Sequence, residues 1–155
     1  MARTKNAEFK AELKSSSPKV VAERFGKIPL FQGCSKQELK RLAEVAHIES
    51  VATGAALTTE GTEGRTLYVL LQGGAKVTRN SVRIADIEPG AVIGEMALLT
   101  HQPRNATVTV TEPSEIAAIH AGDFDKLLKD SPTFTRRVLD TMAERIHAAE
   151  TNSIY

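Results

Sequence analysis

The hydrophobic pattern changes period twice along the chain, and this fixes the order of its elements before any motif is read. In the segment ahead of His47, Leu39, Leu42, Ala43 and Ala46 recur at helical spacing. From about His47 the period drops to two, in the short runs HIESVA, AALTT, TLYVLL, AKVTR, VRIADI, ATVTV and EIAAIH. Gly54, Gly61, Gly64, Gly73-Gly74, Asn80-Ser81, Pro89-Gly90 and Pro113 stand between them as turn signals. After Gly122 the helical period returns. Helices, then about eight short strands, then helices predict an α+β chain, mainly β. The expected core is an antiparallel β-barrel with N-terminal and C-terminal helices packed at one end or side.

Local signals refine the helical ends. Residues 5–14 (KNAEFKAELK) predict a helix with Phe9 and Leu13 on one face, broken by the SSSP of 15–18. A second short helix is expected over about Lys19 to Gly26, and Pro29 forces a turn in IPLF. Ser35 has the form of an N-cap, with Glu38 three residues on as its capping-box partner. Asp123 is expected to cap a short helix running to Lys129. Ser131-Pro132 opens a last helix with Val138, Leu139, Met142, Ile146 and Ala149 along one face. That face suits either a dimer seam or packing on the barrel.

Composition excludes several functions. The chain has 155 residues, enough for about one domain. Its 20 Lys+Arg balance 19 Asp+Glu, which leaves no electrostatic footprint for nucleic acid. Lys5, Lys10, Lys14 and Lys19, with Arg3, read as a solvated N-terminal face. The one cysteine, Cys34, allows no internal disulfide and no four-cysteine metal site. It is expected in the turn before a helix. No apolar run approaches the length of a membrane span and no signal-peptide core is present, so a cytoplasmic protein without membrane contact is expected. His47, His101, His120 and His147 have no metal-ligand spacing, and no catalytic motif links the serines, histidines and aspartates. Neither a metal nor an enzyme activity is expected.

One segment breaks the β pattern. Residues 94–108 read GEMALLTHQPRNATV, in which GEMALL has the form of a single helical turn. The first amides of a helix lack intrahelical partners and favour anions. Gly94 allows close backbone approach, and Arg104 offers a charge and paired donors suited to phosphate oxygens. Asn105 and Ala106 add backbone amides, and the small Ala97 and Ala106 leave room. Glu95 beside a phosphate makes sense if it accepts from a hydroxyl, as on a ribose. The plain alternative is an ion pair between Glu95 and Arg104 that bridges the two ends of a loop.

VIGEMALLTHQPRNATVTV closely resembles the phosphate-binding cassette of cyclic-nucleotide-binding domains, of the kind found in cAMP-receptor-protein-like and kinase-regulatory-subunit-like sensors. IPLFQGCSKQELKRLA, EGTEGRTLYVLLQGGAKVTR, IADIEPGAVIGE and FDKLLKDSP resemble other parts of the same family. The likeness runs from about Phe25 to Ile146. It implies a double-stranded jelly roll in three parts: an N-terminal helical segment, 1–24; a barrel, 25–122, with its cassette at 92–108; and C-terminal helices, 123–155, as a lid or dimer helix. It implies a sensor that binds cAMP, or cGMP, as ligand. Arg104 with the amides of Met96, Ala97 and Asn105 would hold the cyclic phosphate. Glu95 and Gly94 would hold the 2′-hydroxyl, and Val77, Ile84 and Ile93 would line the pocket. Arg145, Thr151 and Asn152 are the candidates to cap the base. Either a stand-alone sensor module or a fragment of a larger protein is expected, one that signals to an effector protein by moving its C-terminal helices, with a homodimer through the last helix as one arrangement. A degenerate domain serving only as a protein-interaction surface is the rival. The residue after the arginine, Asn105, departs from the alanine frequent in cAMP-binding relatives, and Val92-Ile93 replaces the usual aromatic.

Overall fold

The computed structural model describes residues 17–154, with side chains from 17 to 148. The predicted helix over 5–14 lies outside the described residues. Helix α1 spans Pro18–Phe25, with the Ser17 side chain accepting from the Val20 amide and proline in the first turn. A short 3-10 turn, Pro29–Phe31, follows where Pro29 required one. Helix α2, Lys36–Val45, opens with the reciprocal Ser35–Glu38 capping box that its sequence predicts.

Six strands then form one antiparallel sheet: β1 His47–Val51, β2 Ala56–Thr58, β3 Thr66–Arg79, β4 Val82–Ile87, β5 Val92–Ile93 and β6 Thr107–His120. The order is β1-β6-β3-β4, with β2 also on β6 and β5 on β3. Helix α3, Glu95–Thr100, interrupts the strands as GEMALL suggested. Helices α4, Ala121–Asp130, and α5, Pro132–Ile154, close the chain.

The strand count is six rather than about eight, because two pairs of expected strands are each one strand. β3 runs through Gly73-Gly74 and β6 runs through Pro113, and each is 14 residues long. Their ladder shifts register between Leu70 and Ala75 instead of ending. Gly73 has φ +100, and a Cβ there would fall on the Ser114 side chain. The Ser114 hydroxyl accepts from the Gly74 amide at 3.2 Å and donates to the Glu112 carbonyl at 2.7 Å. Glycine and proline mark bulges here, where the strands bend, not turns.

Bending a two-faced ladder splits the core. Along β3, Leu67 and Val69 face a cluster shared with the helices, and Leu70 faces a cluster inside the barrel. Along β6, Ala117 and Ile119 face the helices and Ile116 the interior. This explains why TLYVLL reads as a continuous apolar run. Four phenylalanines join the helices to one another. Ring centroids lie 5.5 Å apart for Phe25–Phe31, 5.8 Å for Phe31–Phe134 and 5.7 Å for Phe124–Phe134. Arg24 of α1 donates to the buried Glu115 carboxylate of β6 at 2.7 Å, which ties the first helix to the sheet.

The C-terminal helices differ from expectation in two respects. α4 starts at Ala121, directly off β6 with His120 as the N-cap residue, so Asp123 lies inside its first turn and is not the cap. The apolar face of α5 is divided: Val138 is buried and Met142 packs on the core, while Leu139 and Ile146 are each 60% exposed. Ala149 falls outside the described side chains. Cys34, in the turn before α2 as expected, packs at the edge of the helical core, and burial pushes its thiol up to about 11. Replacing Phe134 by alanine is expected to lower stability by about 3–5 kcal/mol, read by urea unfolding, because its ring is the node between Phe31 and Phe124.

Candidate functional site

The interrupting helix is set by one left-handed residue. Gly94 has φ 91 and stands as N-cap of α3, so the chain turns from β5 into the helix without a side chain in the way. His101, with φ 57, ends it. The loop that follows is held against the β2–β3 connection. The Gly61 amide donates to the Arg104 carbonyl at 2.8 Å, and the Arg104 amide donates to the Thr62 carbonyl at 2.8 Å. The buried Thr58 hydroxyl donates to the Ala106 carbonyl and accepts from the Val108 amide, both at 3.1 Å. The Glu60 amide donates to the Thr107 hydroxyl at 2.9 Å.

This clamp presents a buried arginine. Arg104 is 7% exposed. Its Nη1 donates to the Gly94 carbonyl at 2.9 Å and its Nη2 to the Thr66 carbonyl at 2.5 Å. A Cβ on Gly64 or on Gly94 would fall on the guanidinium, so both glycines are cradle walls for this one group. Burial pushes the Arg104 guanidinium below its ordinary value, and Tyr68 acts in the opposite sense. A guanidinium bonded to two carbonyls keeps its charge uncompensated, because carbonyls are dipoles and not anions.

Glu95 does not pair with Arg104, so the ion pair that would have made the loop merely structural is absent. Glu95 is 3% exposed. Its Oε1 meets Nη1 of Arg145, which reaches over from α5 as an ion pair. The other carboxylate oxygen, Oε2, has no hydrogen-bond donor among the described residues. Burial also lowers the Arg145 guanidinium below its ordinary value.

A cavity of about 630 Å³ lies between these groups. All ten residues singled out in the sequence line it: Val77, Ile84, Ile93, Gly94, Glu95, Met96, Ala97, Arg104, Asn105 and Ala106. Arg145 lines it as well, whereas the side chains of Thr151 and Asn152 lie outside the described residues. The sequence reading missed Thr58, Ala85 and Ile87 on the wall, and missed Gly64 behind the arginine. Only the period-two pattern signals these positions, and it marks them as strand and turn. Among the described residues no cluster of three or more His, Cys, Asp and Glu forms a metal site, and no helix is long and apolar enough to cross a membrane.

A buried guanidinium with only carbonyl partners, on an apolar cavity that also holds a carboxylate oxygen without a donor, suits a polar anionic ligand. Comparison with known proteins gives the class. The sequence profile of the cyclic nucleotide-binding domain matches residues 48–131. The chain belongs to that family. A cyclic nucleotide-gated potassium channel of Mesorhizobium japonicum is 32% identical over 123 residues, covering 79% of this chain and 34% of the channel. A cAMP-dependent protein kinase regulatory subunit of Yarrowia lipolytica is 33% identical over 103 residues, 65% of this chain and 28% of that protein. The chain therefore spans about a third of these relatives' length. Among solved structures, the catabolite activator protein of Thermus thermophilus superposes with a TM-score of 0.74 at 24% identity, covering 80% of this chain and 61% of that one. It has the same fold, a jelly-roll sheet with flanking helices.

In this cyclic nucleotide-binding domain the glycine cradle makes a sharp prediction. Gly64→Ala places a methyl group on the guanidinium and is expected to cost about 1–3 kcal/mol by urea unfolding. Gly122→Ala, with nothing near its added Cβ, is expected to be neutral or stabilising by up to about 1 kcal/mol, since it lies in α4.

Proposed function

We propose that the chain is a regulatory module that binds a cyclic nucleotide in the 630 Å³ cavity, with cAMP ahead of cGMP. The observation that carries the reading is that two buried charges line one cavity: Arg104 has only carbonyl dipoles for partners, and Glu95 keeps one carboxylate oxygen without a donor beside its ion pair to Arg145. A cyclic phosphate meets the first need with two oxygens in a guanidinium's plane, and a ribose 2′-hydroxyl meets the second. The amides of Met96, Ala97, Asn105 and Ala106 add donors, and Val77, Ile84 and Ile93 give apolar contact to sugar and base. The preference for cAMP rests on the relative named for that nucleotide and not on Asn105, whose side chain suits several bases.

Arg145 supplies a route to signalling. It pairs with Glu95 from α5. A ligand hydroxyl that takes Glu95 frees Arg145 to move over the base, and α5 moves with it. The module is then a two-state element whose equilibrium the ligand biases only through its different affinity for each state. It works without catalysis, in the cytoplasm, on an effector protein. The exposed Leu139 and Ile146 of α5 offer that effector, or a second copy of the chain, an apolar contact.

Thermal unfolding with and without cAMP and cGMP tests the reading on protein freed of carried-over nucleotide. Ligand at about 100 times its dissociation constant is expected to add about 2.7 kcal/mol. That is a midpoint rise of roughly 5 to 10 °C. Arg104→Ala should abolish the rise. An unchanged midpoint with both nucleotides would favour a degenerate domain that serves as an interaction surface. Amide exchange should also slow or quicken across Phe124 to Ile146 on binding, and a response confined to 94–107 would rule out the lid.

A further inference from the structure

The loop after Arg104 offers two amides to the cavity, and something must aim them. A trans peptide holds its C=O and N–H antiparallel, so fixing one carbonyl fixes the direction of the next residue's amide. Two successive carbonyls of this loop are pinned. The Gly61 amide donates to the Arg104 carbonyl at 2.8 Å. The Arg79 Nε donates to the Asn105 carbonyl at 2.9 Å. Gly61 and Arg79 are not among the residues that line the cavity, whereas Asn105 and Ala106 are. Carbonyls drawn outward leave the Asn105 and Ala106 amides turned inward. Among the described residues neither amide has a hydrogen-bond acceptor.

The two pins belong to one unit. Arg79 ends β3 and pairs with Val82 across the tip of the β3–β4 hairpin. The Asn80 amide donates to the Glu60 carboxylate at 3.1 Å, and Glu60 is the neighbour of Gly61. The hairpin tip and the β2–β3 connection are thus tied together before either reaches the loop. Of the two pins, only that of Arg79 is made by a side chain.

We propose that Arg79 is a positioning residue for phosphate recognition: through the Asn105 carbonyl it aims the Ala106 amide at one exocyclic phosphate oxygen. The proposal rests on the cyclic-nucleotide reading of the cavity. Arg79 lies outside the cavity and is exposed, so it acts on the ligand through the peptide plane and not by contact. Its effect is therefore directional, and falls on one phosphate oxygen more than the other.

The test uses the whole 155-residue chain and calorimetric titration. The probes are cAMP, or cGMP if the unaltered chain prefers it, and the two phosphorothioate diastereomers of that nucleotide. Each diastereomer puts sulfur, a weak acceptor, in place of one exocyclic oxygen. The unaltered chain should favour one diastereomer. Arg79→Met, of similar length but without a donor, is expected to weaken the parent nucleotide about five- to tenfold. It should also shrink the preference between diastereomers, because sulfur facing a misdirected amide has less to lose. The ligand-free unfolding midpoint should stay within about 2 °C, as for a surface change. Arg79→Lys keeps the charge without the Nε donor and should behave as Arg79→Met does. Full affinity in Arg79→Lys, equal weakening of all three ligands, or no change in Arg79→Met would each overturn the positioning role while the site itself stands. If the unaltered chain binds none of the three, the role and the cyclic-nucleotide reading fall together.

Discussion

The antiparallel ladder between β3 and β6 underlies everything else in this domain. It joins Thr66 to His120 at one end and Thr78 to Thr107 at the other, and every other strand pairs with one of its two members. Its alternating side chains divide the apolar residues between the barrel and the helices, so one run of backbone hydrogen bonds organises two cores. The same ladder delivers the site. β6 leaves the arginine loop at Thr107, and the carbonyl of Thr66, the first residue of β3, is one of the two that hold the Arg104 guanidinium.

Around that guanidinium the chain uses absence of side chains as a positioning device. Gly64 and Gly94 come from different segments, yet each is required by the same group, because a methyl on either would displace it. The result is a cation fixed in place and short of anionic partners, while the nearest buried carboxylate is engaged by a guanidinium from α5. Both charges are costly to bury and both sit on the wall of one cavity, and they are not paired with each other.

Much of this was legible in the sequence, and the reason is locality. Gly94, Glu95, Arg104 and Ala106 lie within 15 residues, so their relation is a spacing that can be read. The capping box of α2 and the proline turn at Pro29 were legible for the same cause. Gly64, Thr58 and Arg79 were not, since their roles depend on which segment the fold brings against the loop. Arg145 could be named only as one of several candidates on the last helix. Gly73-Gly74 and Pro113 misled, because a residue that permits a turn also permits a bulge, and only the partner strand decides between them. Asp123 misled because α4 begins without a side-chain cap, straight from the end of β6.

The ladder also imposes an order in time. β3 emerges from synthesis with apolar residues on both faces, and its partner follows only after β4, β5, α3 and the arginine loop have been made. Contacts that close so much intervening chain form slowly. Until His120 is made, Thr66 and Leu67 have no strand to pair with, because β4 and β5 take only the other edge of β3. The nascent chain therefore carries one open, aggregation-prone strand edge for several seconds at ordinary rates of synthesis. The segment that leaves this edge open is the one that carries the arginine loop, so the cavity wall of this domain is also what delays its folding.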